Sequence, residues 1–167
     1  MELLTWLETT IGGEFIFTML VSMIPVVELR GGIPFGVATL GLPYPAAFVA
    51  AVIGNILPAP FIVVYIRRIF QWLRRRFPRL DGMVDAMERK AHLKGRKVSK
   101  YKYLGLLLFV AIPLPGTGAW TGSLAAAFLD MPLRKALPSI ILGVLLAGGI
   151  MTALTFFGVN LFSAVMA

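Results

Sequence analysis

The stretch "PVVELRGGIPFG", residues 25–36, sets Glu28 and Arg30 two positions apart within sequence that is otherwise apolar enough to sit in a bilayer. A charge at bilayer depth costs roughly 2.5–3.5 kcal/mol on insertion scales, so such residues pair, face a cavity and act on a ligand or an ion. Arg30 carries a planar fork of donors suited to a phosphate or carboxylate. Glu28 suits either of two roles, the resting counter-ion of Arg30 or a proton carrier. On an intact helix, side chains two apart point away from each other, whereas at a broken tip both converge on one pocket. Gly31 and Gly32 then let backbone approach a ligand without a Cβ, and Pro25 and Pro34 fix the bends. The plainer alternative is a structural ion pair, or a tip that reaches outer water.

A second constellation is "AIPLPGTGAW", residues 111–120. Pro113 and Pro115 stop one apolar arm, and Gly116, Thr117 and Gly118 expose backbone amides. A helix restarting near Ala119 aims its positive end at the same region, an arrangement that binds anions. The Gly-Lys-Ser/Thr ending of a P-loop is absent. The plainer reading is a tight turn with Thr117 as an N-cap and Trp120 as packing. A third feature, "VIGNILPAPFIVV", places Asn55 beside Pro58 and Pro60, which strip carbonyls near Gly54 and Ile56 of their donors. Those oxygens then face water or a moving ion, or Asn55 serves as the hydrogen-bonding partner of a satisfied kink. The candidate substrate- or ion-binding residues are therefore Glu28, Arg30, Gly31, Gly32, Asn55, Pro113, Gly116, Thr117 and Gly118. No Ser/His/Asp, Cys/His or paired-carboxylate arrangement is present, so no enzyme, cofactor or metal site is expected. The single His92 lies among cations and reads as solvated.

The elements that must position these residues follow from composition. The chain has 167 residues, 58 % of them hydrophobic, and a mean hydropathy of +0.84, which marks an all-α integral membrane protein of one domain. Two halves can be overlaid: Pro25 to Pro43 spans 18 residues, Pro113 to Pro132 spans 19, and Gly54 and Gly143 each follow the second proline by 11. The arms 103–114 and 119–130 hold twelve residues each. At about 1.5 Å per residue each reaches ~18 Å, short of a ~30 Å hydrocarbon core. The expected fold is an inverted-topology repeat of two opposed re-entrant helical hairpins, each followed by a transmembrane helix, with both tips facing each other. The plan is an interfacial helix at 1–13, hairpin one at 15–42, a span at 43–66, a basic loop at 67–102, hairpin two at 103–131 and a span at 132–157. Four ordinary spans with Gly/Pro-rich turns are the alternative.

Charge supports the first plan. Thirteen of the sixteen basic residues lie between Arg67 and Lys102, and short basic loops stay cytoplasmic. With re-entrant hairpins Arg134 and Lys135 fall on the same inner side, and the N-terminus, with Glu2, Glu8 and Glu14 but no basic residue, falls outside and is unlike a signal peptide. Leu80, Met83, Val84, Met87 and Ala91 keep helical spacing, so the loop contains an amphipathic helix suited to anionic inner-leaflet lipid. No nucleic-acid recognition fold fits in its 36 residues. Small residues at four-residue spacing, Ala46, Ala50, Gly54 and Gly118, Gly122, Ala126, read as packing or dimer contacts.

"ELRGGIPFG" and "IPLPGTGAWTG" resemble the small multidrug export protein family, a branch of the DedA (VTT-domain-like) superfamily of membrane proteins, over nearly the whole chain. The resemblance implies two opposed re-entrant hairpins and lipid-related transport, since DedA-type members are linked to flipping polyprenyl phosphates or phospholipids and to proton motive force. Their membrane acid in hairpin one looks like Glu28. Their arginines flanking the hairpin-two proline have no counterpart in "LFVAIPLPGTG", where Arg30 stands as the substitute. The function expected is a small multi-pass inner-membrane transporter that moves an amphipathic anion, such as a lipid or polyprenyl phosphate, between leaflets, with proton coupling through Glu28. The alternatives are an exporter of cationic or amphipathic drugs and a non-transporting membrane scaffold or assembly factor. The expected partners are membrane lipid and a second copy in a homodimer or higher homo-oligomer.

Overall fold

The computed structural model describes residues 11–76, 101–114 and 116–166. The described residues form seven helices and no strand: α1 (Ile11–Ser22), α2 (Glu28–Ala38), α3 (Tyr44–Ile56), α4 (Ala59–Arg76), α5 (Lys102–Ala111), α6 (Ala119–Phe128) and α7 (Leu133–Met166). The expected amphipathic helix of the basic loop, residues 1–10 of the interfacial helix expected at 1–13, and His92 lie outside the described residues; residues 11–13 belong to α1.

Length sorts the helices into two kinds. α1, α2, α5 and α6 hold 12, 11, 10 and 10 residues, so each reaches ~15–18 Å and none crosses a ~30 Å core alone. Among the described residues two stretches are long and apolar enough to cross, Tyr44–Ile66 with 23 residues and Leu133–Val159 with 27. The first runs through α3 into α4 across Leu57 and Pro58. Pro58 has no N–H to offer Gly54, but Leu57 N–H still reaches Ile53 O and Ile62 N–H reaches Pro58 O, both at 3.0 Å. The break is confined to one turn.

The short helices pair as antiparallel arms. In hairpin one, Ser22 lies over Gly32 and Thr18 over Gly36, where a Cβ would come 2.8 Å from Thr18 Oγ1. In hairpin two, Gly122 takes the Val110 side chain, and Val110 also presses on Gly143 of α7. Both hairpins then end on the same stop. Gly41 (φ +75) and Asp130 (φ +54) turn the chain through the left-handed region, Leu42 and Met131 bury behind them, and Pro43 and Pro132 precede the next helix. Met131 N–H closes on Ala126 O at 2.9 Å and Asp130 N–H on Ala127 O at 3.3 Å, the Schellman closure.

The two spans run antiparallel: Phe48 packs on Gly148, and the Tyr44 ring lies 5.6 Å from Phe156. α1 and α2 pack on α3, α5 and α6 pack on α7, and each second arm also packs on the opposite span, α2 on α7 and α6 on α4. Leu29, Ile33, Val110, Ala126, Ile140 and Val144 form the centre of the shared core. Phe61, Leu142, Leu146, Leu154 and Phe157 are exposed on the outer faces, the surface that a lipid solvent requires. Gly54 fits against the Met19 carbonyl and Ala50 and Ala126 are fully buried, so the small-residue ridges serve packing inside the chain.

One boundary differs from the sequence reading. The first break lies at residues 23–27, and "ELRGG" forms the first turns of α2. Gly31 and Gly32 look like breakers in sequence, but their missing side chains make room for Val27 and Ser22. Pro25 and the left-handed Glu28 reverse the chain instead.

Candidate functional site

Glu28 opens α2 at φ +51, a conformation that costs a non-glycine residue roughly 1–2 kcal/mol. Surrounding contacts must hold it there. On a regular helix, positions i and i+2 lie about 200° apart around the axis. Because Glu28 is outside helical geometry, its carboxylate escapes that separation, and Oε2 sits 3.7 Å from the Arg30 guanidinium. The Glu28 side chain keeps 4 % of its surface exposed and that of Arg30 keeps 19 %. The accessible charge of the pair is therefore positive.

The other polar partners of this pair come from hairpin two. The main-chain N–H of Trp120 donates to Glu28 Oε1 at 3.2 Å. Arg30 Nη2 donates to the carbonyl oxygen of Thr117 and, at 3.0 Å, to its hydroxyl. In return, the Trp120 indole N–H donates to the Met23 carbonyl in the first break at 3.0 Å. The two breaks thus meet, and each supplies groups that the other lacks.

The shape of hairpin two explains why it can receive a carboxylate. The Thr117 hydroxyl accepts from Leu114 N–H at 3.2 Å and has Ile112 O at 2.6 Å and Leu114 O at 2.8 Å within reach of its own proton. That ties the tip into a compact loop. Gly118, at φ +133, is the N-cap of α6 and has no side-chain cap; a Cβ there would overlap the Glu28 carboxylate. Glu28 therefore caps α6 from another hairpin. A carboxylate at a helix N-terminus is stabilised by the free N–H groups and the macrodipole.

Of the residues singled out in the sequence, the structure brings together Glu28, Arg30, Thr117 and Gly118. Thr117 is not the N-cap; its hydroxyl folds back on residues 112–114. Gly31 and Gly32 lie one turn along α2, facing Val27 and Ser22. Gly116 is exposed at φ +82 with open space beside it, and Pro113 lies half-buried on the same loop. Asn55 is buried on α3, but its Oδ1 has no hydrogen-bond partner, so it does not close the kink through that oxygen. Trp120 and Met23 were not among the candidates. The signal for Trp120 was its place at the helix restart, where its main-chain N–H is free to be donated.

A separate groove of about 570 Å³ lies between the spans, lined by Tyr44, Phe48, Thr152, Phe156 and Phe157 with no charged residue. Among the described residues no group of three or more His, Cys, Asp or Glu side chains is gathered for a metal.

A protein-family model described as "Putative small multi-drug export protein" matches residues 28–150, from Glu28 at the start of α2 through the second tip and into α7. No curated protein and no solved structure matches the chain.

Proposed function

Because this chain belongs to the small multi-drug export protein family, a family named for transport, we propose that it is a membrane transporter working through the Glu28–Arg30 site, and that its substrate is an amphipathic anion such as a lipid or polyprenyl phosphate. The observation that carries this reading is the exposure difference within the ion pair. Glu28 is enclosed and Arg30 keeps an open side, so an arriving head group meets a guanidinium. Guanidinium recognises phosphate and carboxylate in a bidentate manner.

The architecture we propose is a pair of re-entrant hairpins entering from opposite faces of the membrane. Three features support it: four arms too short to cross, two antiparallel spans, and a hairpin stop repeated at residues 41–43 and 130–132. Each hairpin leads directly into its own span, so antiparallel spans carry oppositely directed hairpins. Lys102 and Lys135 both lie over the Tyr103 ring, at 5.2 and 5.9 Å, which groups the base of hairpin two and the start of α7 at one basic end. We place that end in the cytoplasm by the positive-inside rule, in an inner membrane. A midplane site between opposed hairpins suits alternating access. The kinship with DedA membrane proteins belongs to the same reading.

Export of cationic or amphipathic drugs fits the family name at least as well, with Glu28 as the cation site. Substrate charge separates the two. In proteoliposomes, Arg30→Ala is expected to abolish movement of a fluorescent lipid phosphate. If Arg30→Ala leaves phosphate movement intact while Glu28→Gln stops efflux of a lipophilic cation, the drug reading replaces the anion reading. Vesicles that move neither would favour the scaffold.

A further inference from the structure

The ion pair holds more than a counter-ion. Glu28 Oε1 takes the Trp120 main-chain N–H in the first turn of α6, Oε2 faces the Arg30 guanidinium at 3.7 Å, and Gly118 leaves the space in which the carboxylate lies. These are the donors that an incoming phosphate or carboxylate would need. Arg30, the Trp120 N–H and the tip at Gly118 surround an anionic group that belongs to the chain itself.

We infer that Glu28 is an internal stand-in for the substrate's head group, which loads by displacing the Glu28 carboxylate from Arg30 and from the start of α6. This deepens the anion reading above and rests on it. The stand-in solves a physical problem: an empty cluster of a guanidinium and free N–H groups at membrane depth would be costly to leave without a partner. The left-handed backbone of Glu28 fits a residue held by its side-chain contacts rather than by its own helix. Displacement also lets an amphipathic anion open the contact between the two tips, because Glu28 is one of the groups that bridges them.

The consequence has an unusual sign. Removing the acid should strengthen anion binding, whereas removal of a group that binds substrate directly weakens it. The test uses purified full-length protein in nanodiscs of neutral lipid, with Trp6→Phe and Trp72→Phe leaving Trp120 as the fluorescent reporter. Dodecyl phosphate is titrated as the probe. Glu28→Gln is expected to bind it about tenfold more tightly than the parent, the size of a lost competing ion pair of ordinary strength. Glu28→Asp, whose shorter arm reaches the α6 amide poorly, should fall between the two. Arg30→Ala should lose binding, and Glu28→Gln combined with Arg30→Ala should bind as weakly as Arg30→Ala alone. Helical circular dichroism and a single size-exclusion peak establish that each variant is folded. If folded Glu28→Gln and Glu28→Asp bind dodecyl phosphate no better than the parent while the parent binds and moves it through Arg30, the stand-in is wrong and the transport reading stands. If no form binds or moves the probe, the anion reading fails and takes the stand-in with it. Dodecyltrimethylammonium that binds the parent and is lost in Glu28→Gln also overturns the inference, in favour of a cation site.

Discussion

Hairpin one has a polar seam: the Ser22 and Thr18 hydroxyls lie over Gly32 and Gly36, and both charges of the site stand at its turn. Hairpin two has an apolar seam, with Val110 over Gly122, and contributes to the site through the main chain of Thr117 and Trp120 and the Thr117 hydroxyl. The difference shows why neither hairpin is complete alone. Hairpin one carries charges that its own backbone does not satisfy, and hairpin two starts a helix that its own side chains do not cap. Bringing the tips together resolves both deficits with one set of contacts.

The largest expected effect comes from two glycines in the same tip. Gly118→Ala would drive a Cβ into the Glu28 carboxylate at a backbone angle closed to alanine, while Gly116→Ala meets open space. Thermal unfolding should show a loss of about 3 kcal/mol or more for Gly118→Ala and about 1–2 kcal/mol for Gly116→Ala. Similar losses at both positions would mean that backbone angle alone matters and that the Glu28 approach does not.

The seams come next. Gly122→Ala should cost about 1–3 kcal/mol because Val110 is stiff and wedged between Gly122 and Gly143. Gly32→Ala meets the Ser22 hydroxyl, which can rotate or be removed, so Ser22→Ala should partly restore a Gly32→Ala protein. Failure of that rescue, measured by unfolding, would show that the arms of hairpin one cannot adjust.

Smaller effects sharpen the tip contacts. Thr117→Val should cost about 1–2 kcal/mol and Thr117→Ser much less, since the hydroxyl ties both the loop and Arg30. Trp120→Phe removes the indole bond to Met23 O and some ring packing, and should cost about 1–2 kcal/mol while leaving the amide contact to Glu28 in place. The smallest change is Thr18→Val. The Thr18 hydroxyl oxygen is buried without a partner, so the isosteric change should leave stability unchanged or raise it by up to about 1 kcal/mol. A clear loss would mean that Thr18 has a bound partner, such as water, in the polar seam.

Much of this was legible in the sequence. Charged residues in an apolar stretch stand out by their insertion cost, which exposed Glu28 and Arg30. Arms too short to cross are visible by counting, and the second Gly/Pro-rich stretch marked Thr117 and Gly118. Glycine, however, signals either a break or a close approach, and sequence cannot say which. That ambiguity put the first break at "ELRGG" rather than at residues 23–27. Trp120 was unreadable for another reason. Its contribution to Glu28 is a main-chain N–H, which every residue but proline possesses, so only the place of the helix restart could reveal it.

Membrane topology tests most directly whether the hairpins oppose each other. The chain has no cysteine, so Ala167→Cys and, separately, Lys94→Cys each introduce a single thiol for an impermeant maleimide applied to intact cells. Opposed re-entrant hairpins put the C-terminal thiol outside, where it labels, and the basic-loop thiol inside, where it stays protected until the cells are opened. Protection of both thiols would mean four ordinary spans, with the Glu28–Arg30 pair at an outer turn and no midplane site for the tips to share.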